Sequence, residues 1–87
     1  MAAEKTNIDL LEVDRVLLKF IERNPGIEFF TIVDRVKRRW KKVWISRRLI
    51  LLQDIGLIVR TKNGASRPTR MWLPDHPEIP WDQVIRR

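Results

Sequence analysis

The chain has 87 residues, of which 44% are apolar and 33% charged, and this suits one folded domain with a single small core better than a disordered tail. It contains no cysteine, which excludes a disulfide framework, a thiol nucleophile and a cysteine-built metal site. Its net charge of +7 points to a polyanionic partner only if the charge is gathered in one region.

The charge is gathered. Residues 1–33 carry four bases and six acids, whereas residues 34–48 carry eight bases and one acid. Residues 49–59 add only Asp54, residues 60–70 hold four bases and no acid, and residues 71–87 hold two bases against three acids. All of the excess therefore lies in two blocks, 34–48 and 60–70, which suggests one electropositive face; a solvated run of charge is the plainer alternative. The opening MAAEKTNID lacks the apolar centre of a secretion signal, and no apolar run approaches the ~18 residues of a membrane span. The expectation is a soluble cytoplasmic protein without a membrane partner, nucleoid-associated if its source is prokaryotic or viral.

In chain order, Thr6 or Asn7 can cap a first helix over about 7–23, whose apolar positions Leu10, Val13, Leu17, Phe20 and Ile21 recur at helical spacing until Asn24-Pro25-Gly26 ends it. A second apolar set, Leu11, Val16 and Leu18, widens that surface, so the helix is either buried on two sides or packs against another subunit, which hints at a homodimer. After Gly26, Ile27-Glu28-Phe29 suits a short strand, and Phe30, Val33 and Val36 mark a second helix to about Arg38. A turn over 39–42 leads to a third helix over about 43–55, with Ile45, Leu49 and Leu52 on one face and Gly56 as its stop. That spacing leaves Trp44, Arg47, Arg48 and Leu51 off the core stripe, with the two arginines free to reach outward. Residues 57–61 and 69–73 read as paired strands around an Asn63-Gly64 reversal. The last fourteen residues hold three prolines and read as an extended tail with a short turn from Trp81.

The run WISRRLILLQDIGLIVRT resembles the recognition helix and first wing strand of the winged helix-turn-helix superfamily, with Ile45, Ser46, Arg47, Leu49, Leu52, Gly56, Leu57 and Ile58 in the recurring places. Residues 8–73 cover essentially the whole module. The resemblance implies an α+β winged helix-turn-helix of three helices and a C-terminal β-hairpin wing, over residues 8–74, between an extension at 1–7 and a proline-rich tail at 75–87. Two departures stand out: the turn Arg38 to Lys42 lacks a Ser, Thr or small capping residue, and Trp44 stands where a smaller polar residue is common.

What the resemblance implies is double-stranded DNA binding, with the helix at 43–55 in the major groove and the hairpin on the backbone or in the minor groove. Arg47 is then the leading candidate for a base contact, since arginine can take guanine bidentately. Ser46 lies beside it, while Arg48, Lys41 and Lys42 suit phosphates; Arg38 and Arg39 either join them or are solvated. Trp44 either stacks on a sugar or base or covers a neighbouring helix. At the hairpin tip Arg67 is the minor-groove candidate, flanked by Lys62, Asn63 and Arg70, with an ordinary polar tip as the alternative.

Core service is expected of the remaining tryptophans: Trp72 over the sheet face against the first and third helices, Trp40 as a plug between the second and third, and Trp81 packing the tail on the domain or on a partner chain. His76 is the only histidine, no acid, histidine or cysteine cluster has metal spacing, and no glycine-rich phosphate loop or serine-centred elbow is present. No enzyme activity, cofactor, metal or small-molecule ligand is expected. The leading expectation is a sequence-specific DNA-binding protein acting in transcription regulation; an RNA-binding or ribosome-associated domain and a protein-interaction module, the latter with Leu11, Leu18, Trp44 and Leu51 as a patch, are the alternatives.

Overall fold

The computed structural model describes residues 9–86, an α+β domain with, among those residues, three α-helices and a three-stranded antiparallel sheet. Helix α1 spans Glu12–Arg23, β1 Ile27–Glu28, α2 Phe29–Val36, α3 Lys42–Asp54, β2 Val59–Lys62 and β3 Thr69–Trp72. A single 3-10 turn at Trp81–Gln83 follows in the tail.

The start of α1 differs from expectation. Thr6 and Asn7 lie outside the described residues, and the helix begins behind Leu11, whose backbone is extended. Leu11 has no capping side chain of its own; its N–H is taken at 2.8 Å by the carboxylate of Asp14, three residues into the helix. An acid in the first turn thus does the work of a capping oxygen and also complements the helix dipole. At the other end the Asn24 N–H and side-chain amide both donate to the Phe20 carbonyl. Gly26 then turns with φ 80°, and a Cβ there would lie 3.0 Å from Cη2 of Trp72. Only glycine meets both demands, and its N–H closes onto the Met71 carbonyl at 2.9 Å.

Helix α2 stops at Val36, short of the expected Arg38. Lys37, Arg38 and Arg39 offer nothing apolar to bury, and the chain turns there, with the N–H groups of Arg39 and Trp40 both on the Val36 carbonyl, to seat Trp40 against the core. Helix α3 starts behind Lys41 without a side-chain cap. It ends as the glycine predicts: Gly56, at φ 83°, donates to Gln53 and Leu57 donates to Leu52, which is the paired closure of a Schellman motif.

The strand order is β1-β3-β2, with Ile27 opposite Met71, and Val59, Arg60, Thr61 and Lys62 opposite Trp72, Met71, Arg70 and Thr69. Met71 is fully buried with Val13, Leu17, Ile21, Ile32, Ile45, Leu49 and Leu52 in one core. Because neighbouring strand residues point to opposite faces, Trp72 is on the side away from the helices, contrary to expectation. There its indole N–H donates to the Thr61 hydroxyl at 2.9 Å and its ring lies over Gly26. The tail runs beside β2: Val84 bridges Thr61, the Ile85 N–H donates to the Arg60 carbonyl at 2.8 Å, and the Gln53 amide donates to the Ile85 carbonyl at 2.6 Å. Ile79 is the buried anchor of this segment, while Trp81, expected to pack the tail on the domain or on a partner chain, is 57% exposed and does not hold it to the domain.

Helices α1 and α3 are joined by an ion pair. Arg48 donates from Nε to Asp14 Oδ1 at 2.8 Å and from Nη2 to Asp14 Oδ2 at 2.6 Å. The Asp14 side chain is 0% exposed and that of Arg48 14%. Arg48 therefore does not reach outward as its helical position suggested; the buried carboxylate draws it inward, and this hydrogen bonding raises the guanidinium pKa above its ordinary value. Replacing Arg48 by Ala leaves a buried carboxylate without its partner, and we expect a loss of about 3–5 kcal/mol in urea unfolding. A loss below about 1 kcal/mol would show the pair to be dispensable. Gly26→Ala is expected to cost about 1–2 kcal/mol from the left-handed backbone alone, with a further loss as the Trp72 ring is displaced.

Candidate nucleic-acid interface

Ion pairing sorts the first basic block. Lys37 meets Asp34 at 2.9 Å, and that hydrogen bond lowers the Asp34 pKa. Arg39 meets Glu12 at 2.7 Å and lies 4.3 Å from the centre of the Trp40 ring, so this candidate links α1 to the turn before α3. Arg48 is spent on Asp14. Lys42 holds its ammonium 4.9 Å over the exposed Phe30 ring. The side chains of Arg38, Lys41 and Arg47 are exposed and have no ion-pair or hydrogen-bond partner among the described residues.

The α-helical period explains which of these face solvent together. Ile45, Leu49 and Leu52 turn to the core, and Arg48 turns to α1. The opposite side carries Val43, Arg47 and Ile50, with Val43 63% exposed. Trp44 is partly open, its ring 5.5 Å from the Arg48 guanidinium, and so flanks the ion pair. Ser46 is half-buried beside a depression of about 130 Å³ shared with Phe29, Leu49, Arg60, Thr69 and Met71. That depression lies between α3 and the sheet face that carries Met71.

The hairpin candidates divide between the two faces of the sheet. Lys62 is opposite Thr69, two residues from the Arg60–Met71 pair, and so belongs to the face turned toward α3. Arg70 belongs to the other face. It donates to the Gly26 carbonyl at 2.9 Å and to Glu28 at 2.9 Å, which ties β3 to β1 and removes it as a free flanking cation. Asn63 and Arg67 line a cavity of about 230 Å³ with Glu28, Thr61, Arg70 and Gln83, on the Arg70 side. The Arg67 side chain is exposed and has no ion-pair or hydrogen-bond partner among the described residues. Lys42 and Arg47 thus stand on α3 with Lys41 at its N-cap, Ser46 faces the depression beside the sheet, Lys62 is on the sheet face turned toward α3, and Arg39, Arg48 and Arg70 are in ion pairs.

Two features were missed in the sequence. Asp14 lies four residues after Leu10, three before Leu17 and seven before Ile21, on an apolar stripe where a lone acid signals a buried cationic partner. Phe30 and Val43, 58% and 63% exposed, are the most open large apolar side chains on the side where α2 and α3 begin. Elsewhere, His76 accepts the Glu78 N–H on Nδ1 and lies beside the Trp72 ring, and no group of three acids, histidines or cysteines is placed to hold a metal among the described residues. None of the described helices is long and apolar enough to cross a membrane.

Because Lys41, Arg47 and Lys62 contact no acid, replacing each by Ala should leave the unfolding free energy within about 0.5 kcal/mol of the parent. A larger loss in thermal or denaturant melts would make them parts of the fold instead of a free surface. No protein-family model, no curated protein and no solved structure matches this chain.

Proposed function

We propose that the chain is a winged-helix protein that binds double-stranded DNA and acts in transcription regulation, with α3 in the major groove and the β2–β3 hairpin as its wing. The observation that carries this reading is the sorting of charge. Six cations of the two basic blocks, Arg38, Lys41, Lys42, Arg47, Lys62 and Arg67, have no acidic partner among the described residues, while Lys37, Arg39, Arg48 and Arg70 are tied in ion pairs and Arg35 acts on Asp34. Four of the free ones, Lys41, Lys42, Arg47 and Lys62, belong to α3, its N-cap or the α3-facing side of the hairpin. Unpaired cations in such an array release counterions when they meet phosphates, and this gives affinity that falls with salt.

In this reading Arg47, outward on α3, takes a base edge; Lys41, Lys42 and Arg38 take phosphates, with Lys62 and Arg67 meeting the backbone or minor groove from the wing. Arg48 and Arg70 are structural. Dimer formation through Leu11, at the N-cap of α1, and the half-buried Val16 and Leu18 within it belongs to the same proposal and would match two half-sites. A protein-docking surface has one observation in its favour, the exposure of Phe30 and Val43.

Fluorescence anisotropy with a random-sequence duplex, titrated at several salt concentrations against structured RNA as competitor, tests the reading. The expected result is a steep loss of affinity with salt that RNA does not reproduce. Lys42→Ala should weaken all duplexes alike and reduce the salt slope by about 1, whereas Arg47→Ala should cost about 1–3 kcal/mol and relax base preference. Wild-type behaviour in both variants sinks the α3 assignment. Light scattering that finds a monomer at micromolar concentration removes the dimer and leaves DNA binding untouched.

A further inference from the structure

The outward side of α3 is not built like a solvated helix face. Val43, in its first turn, is 63% exposed, and Ile50, two turns on, is half-buried on the same side. Between them stands Arg47, a cation whose side chain has no partner among the described residues. Lys41 and Lys42 immediately precede Val43, and the Lys42 ammonium lies over the Phe30 ring. An apolar side chain is thus held open among cations, one turn from an arginine. A single exposed valine is ordinary on a protein surface; what sets this one apart is its place one turn from Arg47 and directly after two lysines.

DNA offers a target with that mixture. Its major-groove floor is polar except for the 5-methyl group of thymine, and an arginine beside it can take guanine O6 and N7. Val43 and Arg47 are four residues apart, a rise of about 6 Å along the helix. Base pairs are stacked about 3.4 Å apart, so the two side chains reach positions within about two base pairs of each other.

We infer that Val43 reads a thymine 5-methyl group within two base pairs of the guanine taken by Arg47, so that this pair of α3 residues sets the sequence preference. The inference rests on the DNA-binding reading given above. Trp44 has no part in it, because its ring is turned to Arg48 at the α1 side. The branched Val43 side chain is rigid about χ1, so it meets a methyl group at little cost in conformational freedom. The backbone cations give affinity to any sequence, and Val43 with Arg47 discriminates among them.

The test uses the full chain and a duplex selected by it from a random library. Each thymine within two base pairs of the preferred guanine is replaced in turn by deoxyuridine, which removes one methyl group and keeps every hydrogen-bonding atom. Wild-type protein should lose about three- to fivefold in affinity at one of these positions, and Val43→Ala, whose melting temperature should be unchanged, should bind the thymine and deoxyuridine duplexes equally. Equal losses in both proteins, no loss at any position, or a selected site with no thymine near the guanine overturns the inference while salt-dependent binding leaves the parent reading intact. Absence of salt-dependent duplex binding overturns both. If, in that case, self-association is lost on Val43→Ala, the open side of α3 is a contact between protein copies.

Discussion

The Asp14–Arg48 ion pair is the constraint on which the arrangement of helices depends. One carboxylate does two jobs: it accepts the Leu11 N–H that starts α1, and it accepts both arms of the guanidinium that comes from the middle of α3. Such a charge is tolerated inside the domain only because its oxygens are fully engaged, since burial of a bare carboxylate would cost several kcal/mol. The rotation of α3 about its own axis follows. With Arg48 held to α1 and Ile45, Leu49 and Leu52 in the core, Val43 and Arg47 have no direction left but outward. The raised pKa of Arg48 keeps its contribution fully present below the ordinary guanidine range, and it is lost only as pH rises through the still higher folded value. Ordinary changes of pH near neutrality leave this lock closed.

The same geometry explains why so basic a chain holds together. Three acids bind cations of neighbouring elements: Glu12 to Arg39, Asp14 to Arg48 and Glu28 to Arg70. Each of these pairs crosses from one structural element to another, whereas Lys41, Lys42, Arg47, Lys62 and Arg67, on α3, its N-cap and the hairpin, are in none. Exposed pairs of this sort are individually weak, and their value here is as much in reducing repulsion as in direct attraction.

Much of this was legible in the sequence because it rests on local rules. The apolar period placed Val13, Leu17 and Ile21 in the core, as it did Ile45, Leu49 and Leu52, and Gly56 closed α3 within one residue of expectation. The hairpin was legible too, although β2 begins at Val59 and not at Leu57, and the reversal takes residues 63–68, with the Arg67 N–H on the Gly64 carbonyl, where a tight Asn-Gly turn was expected. What failed to show were the long-range partners. Nothing adjacent to Arg48 announces an acid 34 residues earlier, so its outward position on a helical wheel was misleading. Trp72 was assigned to the wrong face because alternation fixes only that it opposes Met71, and which of the two faces the helices is decided by the pairing with β1 and by the packing of Met71. Trp81 shows the limit of composition alone: the smaller Ile79 takes the buried place, and the tryptophan stays open. For the interface, the sequence located the basic segments but not the division of Lys62 and Arg70 between opposite faces, which follows from register.

The covering of β2 by the tail has a consequence for how this chain can aggregate. An open sheet offers two unpaired edges, each a template on which further strands can grow toward cross-β fibrils. Here one outer strand, β1, is only two residues long, and the other is occupied by Val84 and Ile85, locked through the Gln53 amide. Neither edge presents a long ladder of free backbone groups. Crowding the folded protein to high concentration should therefore bring copies together through helical side chains, in contacts that dilution undoes, and not through the growth of an extended sheet.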